Sequence, residues 1–442
     1  MRAKIKFIGF LFYAALAVAT MSTVSMAQTC PQYLTKEESA KLEKIVGNAH
    51  LVVFGEPSHG LTAVYCLNAE VFRNLVETKG FRVIVFESAW GMDDGYRDFM
   101  QSDRKELTGE ESFLLNVFNG KPTLDLLFYI RDYNRKHPSD PVHVAGFQPE
   151  QPVTDARAIS AYASHAAAFS SFGLAEKTAT CKVWGQEFND DIAFIGYTSK
   201  RRRQQKLTIY TDEEREKCLK GITAVEQFLE ANKSELIGKT SLAQFREALL
   251  HVKSLRNYIG LLSAGLDDMI THPNMTPEET LKAGHRVYEL GDAARFEVFQ
   301  TLRETRYQSQ KVFFWMHDWH AARHSIEIEY PQQIPPGTTS VGSRMAQAYG
   351  NDLVVIGGIV GCPSCKENVP ADAVEKKFSE MFDGKTVFVD LRKPSTAEEK
   401  LPLDTPGSLW DQLYNDRLVK VVLDRQFNAV YYLPESKTIY EK

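Results

Sequence analysis

Three short apolar runs, each leading into acidic or histidine residues, form the clearest pattern along this chain. Residues 51–54 lead into Gly55-Glu56-Pro57-Ser58-His59-Gly60, residues 83–86 lead into Glu87, and residues 312–316 lead into His317-Asp318-Trp319-His320. Continuous β-branched and aromatic runs of this length are typical of strands covered on both faces, as in a parallel sheet. Ligands of such sheets bind beyond the carboxyl ends of the strands. The pattern therefore predicts an active site built from these strand ends.

The remaining periodicity predicts an α/β fold with a largely parallel central sheet flanked by helices. Helices are predicted over 36–48, 65–78 and 124–135, and further strands over 142–147, 353–359 and 386–390. Strands that alternate with helices along a chain are typical of a parallel sheet with helices on its faces. At the end of the chain, the runs 419–424 and 429–433 predict a C-terminal β-hairpin.

A change in composition divides the predicted α/β core into two parts. Residues 155–285 are rich in alanine and charged residues, with few β-branched runs, and predict a helical insertion that caps the strand ends. The core then consists of residues 28–154 and 286–442. The Pro/Gly-rich segment 331–337, near the second histidine motif, is a predicted mobile flap.

Residues 1–27 have the pattern of a secretory signal peptide. Basic residues precede an apolar stretch, and Ser25-Met26-Ala27 supplies small residues at the cleavage position. The stretch is too short to favour a transmembrane anchor, so we expect a periplasmic or secreted protein with no membrane span after cleavage. An even number of cysteines, six, favours disulfides in such a protein. Cys181 and Cys218 are one predicted pair, whereas Cys362-Pro363-Ser364-Cys365 fits a local disulfide, a link to another cysteine, a redox motif or half of a zinc site.

The net charge of the chain limits the classes of molecule that it is expected to bind. The formal net charge of −5 becomes −8 without the three basic residues of segment 1–27, which contains no acids. An acidic chain without a long basic block is a poor partner for nucleic acid or an anionic membrane. We therefore expect a small-molecule substrate. The composition makes no prediction of oligomeric state.

The residues at the three strand ends suit acid–base chemistry. Glu56 can orient His59 and keep its imidazole a competent base near neutral pH. Glu87 follows a buried strand, where a carboxylate is costly unless paired, and a histidine would serve as its partner. His317 and His320 can converge on one point, which also suits metal binding with Asp318 as a further ligand. The alternative for these two histidines is aromatic packing with the neighbouring tryptophans.

Other catalytic motifs are missing from the sequence. No Gly-x-Ser-x-Gly elbow of a serine hydrolase occurs, and neither a dinucleotide fingerprint nor a phosphate-binding loop is present. A histidine-centred site is therefore the predicted chemistry.

Seven segments, in this order, give the chain a specific resemblance. They are Gly55-Glu56-Pro57-Ser58-His59-Gly60, Lys79-Gly80-Phe81, Phe86-Glu87, Tyr129-Ile130-Arg131-Asp132-Tyr133-Asn134, Trp315-Met316-His317-Asp318-Trp319-His320, Val341-Gly342 and Phe427-Asn428-Ala429-Val430. With them the chain resembles the erythromycin esterase family through nearly all of its mature length. The resemblance implies an α/β core with a helical insertion, and hydrolysis of a cyclic ester by water activated on a histidine.

The resemblance also implies roles for individual residues. His59 falls on the general base, Glu56 and Glu87 on the conserved acids, and His317 and His320 on the second histidine pair. Four further residues are expected to bind substrate: Ser58, Asp318, Asp292 and Arg295. The family usually has asparagine where this chain has Asp318, and often an acid where it has Ala63. Because the central acids and histidines remain, these substitutions favour another substrate over a dead enzyme.

Three hypotheses follow from the same residues. The first is a metal-independent hydrolase of an ester or lactone that needs no cofactor. The second gives Glu56, His59, Glu87 and His320 to a divalent metal such as zinc or manganese. The third is a non-enzymatic haem-binding protein, because a branch of haem-binding lipoproteins shares the Gly-Glu-x-x-His motif.

Overall fold

The computed structural model describes the chain in ranges separated by short gaps. These are residues 30–107, 118, 120–149, 152–165, 172–181, 211–266, 276–324, 327–328, 338–361, 373–382, 384–405, 407–411 and 417–434. The predicted signal segment, the predicted flap at 331–337 and the pair Cys362 and Cys365 lie outside them. The described residues divide into two compact units, one within residues 150–290 and one that joins residues 30–149 with residues from 291 onward.

In the described part of the chain, ten strands build two sheets. They are β1 Leu51–Glu56, β2 Phe81–Ala89, β3 His143–Gln148, β4 Lys311–His317, β5 Glu327–Ile328, β6 Leu353–Val360, β7 Val387–Asp390, β8 Gly407–Asp411, β9 Arg417–Val421 and β10 Ala429–Leu433. The central sheet has seven strands in the order β3-β2-β4-β1-β6-β10-β7, and β5, β9 and β8 form a separate small sheet. All neighbours in the central sheet are parallel except β7, which is antiparallel to β10. The predicted α/β fold with a largely parallel sheet is confirmed.

Helices follow or precede most of the central strands. They are α1 Lys36–Val46, α2 Thr62–Lys79, α3 Asp93–Gln101, α4 Lys121–Lys136, α5 Pro152–His165, α6 Leu174–Lys177, α7 Asp212–Ala231, α8 Lys233–Lys239, α9 Leu242–Leu261, α10 Pro277–Thr305, α11 Asp318–Ala321, α12 Val341–Tyr349, α13 Val374–Phe382 and α14 Leu423–Gln426. The predicted helix at 36–48 begins at its expected cap, because the Thr35 side chain accepts a hydrogen bond from the Glu38 N–H. It ends two residues early, at Val46, where Gly47 follows.

The central strands are apolar along their length because both faces of the sheet are covered. On one face, Phe54 and Phe313 stack 5.7 Å apart and belong to the same core cluster as residues of α1, α2 and α4. On the other face, Phe299 of α10 packs edge-on against Phe314, with ring centroids 4.6 Å apart. A continuous apolar run is therefore the pattern that this sheet requires.

The predicted C-terminal hairpin is wrong. Both segments are strands, but β9 pairs with β5 and β8 in the small sheet, whereas β10 lies between β6 and β7 in the central sheet. The short helix α14 separates them. Residues 429–433 are buried throughout, so their apolar side chains are covered in the central sheet, which a two-stranded hairpin could not do.

The unit of residues 150–290 is helical in its described residues. Its core comprises residues of α5, α7, α8 and α9, among them Val225, Leu255 and Tyr258. The predicted Cys181–Cys218 disulfide is present, and it links the end of α6 to α7. A hydrogen bond also joins α5 to α9, since His251 Nδ1 lies 2.8 Å from Asp155 Oδ1.

A second disulfide, Cys30–Cys66, ties the start of the described chain to α2. Disulfides are typical of proteins that fold in an oxidising compartment, and the two found here agree with the expected use of the cysteines. Among the helices described, none is both long enough and apolar enough to cross a bilayer.

Candidate active site

The three strand ends singled out in the sequence lie side by side. Strands β2, β4 and β1 are consecutive in the sheet, and Glu56 at the end of β1 is in register with His317 at the end of β4. Glu87 lies near the end of β2 and accepts a hydrogen bond of 2.8 Å from the His317 backbone N–H. Acidic and histidine residues from segments far apart in sequence therefore meet at one edge of the sheet.

Glu56 and His59 form a dyad across the turn after β1. His59 Nδ1 is in hydrogen-bonding contact with Glu56 Oε1, and the second oxygen of Glu56 accepts a 2.7 Å bond from the indole N–H of Trp315. Gly60, with φ of 79°, closes the turn in a left-handed conformation that favours glycine. Its N–H donates to the Tyr65 hydroxyl, which anchors the turn to α2. The turn thus fixes the imidazole relative to the sheet.

Burial sets the electrostatics of this dyad. Glu56 is fully buried, which raises the pKa of its carboxyl, and the contacts with His59 and Trp315 offset part of the increase. His59 keeps 22% of its side chain exposed. The dyad therefore consists of a buried carboxylate and an imidazole that is partly exposed to solvent.

His320 lies between two carboxylates. Its Nδ1 is 2.8 Å from Asp292 Oδ1, and its Nε2 is 3.3 Å from Glu87 Oε1. Both ring nitrogens can donate to carboxylates only when the imidazole is protonated. The ring of His320 has a carboxylate oxygen facing each of its two nitrogens.

Both of these carboxylates are held ionised. Burial raises the pKa of Glu87, but the electrostatic interactions with His320, His59 and Arg295 and the hydrogen bond from the His317 backbone outweigh it, and the pKa lies below its usual value. Burial likewise raises the pKa of Asp292, but His320 and Arg295 outweigh it and the net shift is downward. The Val341 N–H, at the first residue of α12, adds a 2.9 Å hydrogen bond to Asp292.

His317 differs from the other two histidines. Its ring centroid lies 5.2 Å from that of His59, and its Nδ1 accepts a 3.2 Å hydrogen bond from the Trp319 N–H. Burial, together with the charges of His59 and His320, lowers the pKa of His317 well below its usual value. The ring is therefore neutral at physiological pH and lies beside the dyad. Aromatic packing is also present, since Trp319 contacts it edge-on at 5.8 Å.

The four residues expected to bind substrate occupy different surroundings. Arg295 donates a 2.6 Å hydrogen bond to Asp292 and so belongs to the support of His320. The carboxylate of Asp318 accepts from the Gly358 N–H at 3.0 Å, which attaches α11 to β6 and points this side chain at the backbone. Ser58 is buried within the turn, and its hydroxyl has no hydrogen-bond partner among the described residues.

Two side chains at the site were not predicted from the sequence. Gln148, at the end of β3, places its amide nitrogen 3.5 Å from Glu87 Oε1. Trp315 was considered only for packing, yet it donates to Glu56. Gln148 could have been identified from its position at the end of a fourth strand, but an uncharged amide does not by itself indicate a catalytic role. For Trp315 the signal was absent, because its contact depends on the pairing of β1 with β4.

The residues proposed as metal ligands are not grouped around one point in the described structure. Among the described residues, no three histidine, cysteine, aspartate or glutamate side chains are grouped so that they could hold one metal ion. Of the four residues proposed for that role, Glu56 is directed at His59 and Trp315, whereas Glu87 is directed at the His317 backbone.

Comparison with known proteins gives a family match and a relative. The family model described as erythromycin esterase matches residues 76–436 of this chain. YbfO of Bacillus subtilis (strain 168), a protein provisionally named a hydrolase, is 22% identical over 297 residues. That match covers 65% of this chain and spans only 59% of the length of YbfO. The family and this relative support a hydrolase.

Solved structures share the fold over nearly the whole chain. A protein from Bacillus cereus superposes with a TM-score of 0.70 at 20% identity, covering 92% of this chain and 94% of that one. A mutant of the erythromycin esterase EreC, in its open conformation, gives a TM-score of 0.67 at 14% identity, covering 92% and 96%. A succinoglycan biosynthesis protein gives 0.63 at 16% identity, covering 92% and 94%. At these identities the likeness concerns the fold.

Proposed function

This chain belongs to the erythromycin esterase family, and on that premise we propose that it hydrolyses an ester or lactone with water activated by His59. The observation that carries the proposal is the dyad, in which a buried carboxylate contacts Nδ1 of a partly exposed imidazole. A carboxylate on Nδ1 holds the ring in one orientation and leaves the lone pair on Nε2 to accept a proton. This is the arrangement that a general base needs.

The proposed reaction proceeds in two steps. His59 Nε2 takes a proton from water as the water oxygen bonds to the carbonyl carbon, and the carbonyl oxygen becomes an oxyanion. The tetrahedral intermediate then collapses, the bond to the alcohol oxygen breaks, and His59 returns the proton to that oxygen. The products are a carboxylic acid and an alcohol, joined in one molecule when the substrate is a lactone.

His320 is the proposed stabiliser of the oxyanion. Its Nε2 contact with Glu87 is the longer of its two carboxylate contacts, at 3.3 Å against 2.8 Å for Asp292. The Nε2–H is therefore the donor that can turn toward a developing negative charge, while Asp292 keeps hold of Nδ1. Glu87 orients both His320 and the His317 backbone, and the neutral His317 ring lines the site beside His59.

The roles proposed for the remaining residues follow their contacts. Asp292 and Arg295 act through His320, and Asp318 acts through the backbone at Gly358. Ser58 is the residue of this group that we retain as a contact for substrate, because its hydroxyl lacks a partner within the described structure. No metal is required by this mechanism. With two disulfides and the predicted signal segment, we also propose that the protein is exported.

The test is hydrolysis of a panel of lactones and activated esters by the mature protein. We expect His59→Gln to lower kcat by roughly a hundredfold to ten-thousandfold, the range of general base catalysis. His50→Gln is the matched control, because His50 is an exposed histidine at the other end of β1, and it should retain full activity.

A chelator run in parallel separates this mechanism from the metal alternative. We expect turnover to persist in the presence of the chelator. Loss of turnover in both the chelated wild type and His59→Gln would contradict the proposed mechanism and favour a metal site. No turnover on any member of the panel would contradict the proposed substrate class.

A further inference from the structure

Trp315 is a wholly buried residue with a polar contact inside the candidate site. It lies on β4, two residues before His317, and its indole N–H is 2.7 Å from Glu56 Oε2. The other oxygen of Glu56 contacts His59. The carboxylate therefore has one donor on each oxygen: Trp315 behind it and His59 in front.

The indole is held rigidly by the rings around it. Tyr65, Phe86 and Phe118 surround it with centroid distances of 5.3, 5.4 and 5.4 Å. Tyr65 is also the residue whose hydroxyl anchors the turn through Gly60. Because the indole is fixed in this way, its N–H cannot follow the Glu56 carboxylate when the carboxylate rotates. The hydrogen bond therefore specifies one orientation of Glu56.

Two proton arrangements are possible for a buried Glu–His dyad. In one, Glu56 is ionised, the proton lies on His59 Nδ1, and Nε2 has the lone pair. In the other, Glu56 is protonated and donates to Nδ1, so that a neutral ring has its proton on Nε2 and cannot accept one there. Burial without polar partners favours the second arrangement, because it contains no buried charge.

We propose that Trp315 is a positioning residue whose indole N–H keeps Glu56 ionised and facing His59, and thereby keeps the lone pair of His59 on Nε2. A hydrogen bond from an N–H to a carboxylate stabilises the charged form over the neutral one, because the ionised oxygen is the stronger acceptor. The expected loss of turnover rests on the proposed function, whereas the expected change of the His59 tautomer does not depend on it.

The test is the nitrogen NMR spectrum of histidine in protein labelled with ¹⁵N-histidine. The chain has 11 histidines, and the signals of His59 are assigned by their disappearance in His59→Gln. In the wild type near pH 8 we expect the Nδ1–H tautomer for His59. In Trp315→Phe, which keeps an aromatic ring but removes the donor, we expect a shift of the population toward the Nε2–H tautomer.

Phe313→Leu is the matched control for lost packing. Phe313 lies on the same strand and in the same core cluster, where its ring contacts Phe54 and Phe72, at 5.7 and 5.3 Å. This variant should lose stability but keep the Nδ1–H tautomer. In assays with a substrate from the panel, Trp315→Phe should lower kcat roughly tenfold to a hundredfold, the value of a hydrogen bond to a charged group. Its KM should stay within about twofold, since such a loss appears in the transition state.

Each outcome is informative. A Trp315→Phe protein that is folded and keeps the wild-type tautomer would overturn the proposal. If that variant does not fold, the wild-type spectrum still decides, because an Nε2–H tautomer there contradicts the proposal directly. A tautomer shift in a protein that hydrolyses no panel substrate would support the role of Trp315 and count against the proposed reaction instead.

Discussion

At the scale of single residues, the carboxylate of Asp292 has three hydrogen-bond donors around it. It accepts from Arg295, from His320 and from the backbone N–H of Val341. Arg295 carries positive charge, and Val341 lies at the N-terminus of α12, where negative charge is favoured. Burial alone would raise the pKa of Asp292, so its lowered pKa shows that these partners prevail.

A dependence of stability on pH follows from this lowered pKa. The pKa of Asp292 is lower in the folded than in the unfolded chain, where it is about 3.9. Its contribution is therefore complete above that value and is lost as the pH falls through the folded pKa. Each tenfold difference in proton affinity between the folded and unfolded chain corresponds to about 1.4 kcal/mol. Asp292→Asn should be less stable than the wild type at pH 7, and the difference should shrink toward pH 3.

Urea unfolding at several pH values measures this difference. Asp424→Asn is the control, since Asp424 is exposed, and its stability should track the wild type throughout. A difference between Asp292→Asn and the wild type that stays constant from pH 7 to pH 3 would contradict an ionised Asp292 as its source.

The sequence predicted much of the site at this scale, for a physical reason. Charged residues directly after buried strands are unusual, and the carboxyl ends of parallel strands meet at one edge, so Glu56, Glu87 and His317 could be expected together. The contacts of Trp315 and Gln148 could not be predicted, because they depend on which strands are neighbours. Asp318 was expected to bind substrate, but its contact with Gly358 required knowledge of where α11 lies against β6.

At the scale of elements, two helical glycines predict opposite effects of the same substitution. A Cβ added to Gly342 in α12 would lie 2.0 Å from the backbone oxygen of Ala321 in α11, whereas a Cβ on Gly260 would meet nothing within 4 Å. We expect Gly342→Ala to separate α11 from α12, which also moves Val341 away from Asp292, and to cost activity and stability. Gly260→Ala should stabilise by about 0.5 to 1 kcal/mol, from the higher helix propensity of alanine.

Thermal unfolding and turnover of the two variants provide the comparison. Equal stability of Gly342→Ala and the wild type would show that α12 can move without consequence, contrary to the role described for its first turn.

The wrong prediction of a C-terminal hairpin shows that periodicity indicates strands but not which strands pair. The runs 419–424 and 429–433 predict strands, and the structure has strands at 417–421 and 429–433. The second is a continuous apolar run, which is typical of a central strand covered on both faces. Their closeness in sequence favoured a hairpin, but burial of Tyr431 and its neighbours inside the central sheet outweighed it.

At the scale of the whole molecule, each of the two units contains a disulfide among its described residues. Cys30–Cys66 lies in the α/β unit and Cys181–Cys218 in the helical unit, and the linked residues are 36 and 37 positions apart. Loops of this size are expected to stabilise a fold by about 4 kcal/mol through the entropy of the unfolded chain. Replacing either pair by serines should therefore lower stability by a similar amount.

Calorimetry of the two double variants tests this expectation. If the units unfold separately, Cys30→Ser with Cys66→Ser should lower the transition of the α/β unit alone, and Cys181→Ser with Cys218→Ser that of the helical unit. An unchanged transition in either variant would contradict a stabilising role for that disulfide.

The fold class was within reach of the sequence, and the strand order was not. Alternating strand and helix patterns already indicate a parallel sheet. That β4 would lie between β1 and β2 depends on packing between segments from distant parts of the chain, and no local pattern reports it.

The position of β4 has a consequence for how the protein folds. Trp315 and Glu56 touch although 259 residues separate them, and the whole helical unit lies between them in the chain. Contacts this distant in sequence form late, because a long loop must close, at a cost in entropy, before these contacts can stabilise the fold. During refolding, helical signal should therefore recover well before the His59 site becomes competent, and translation cannot complete that site until β4 has left the ribosome.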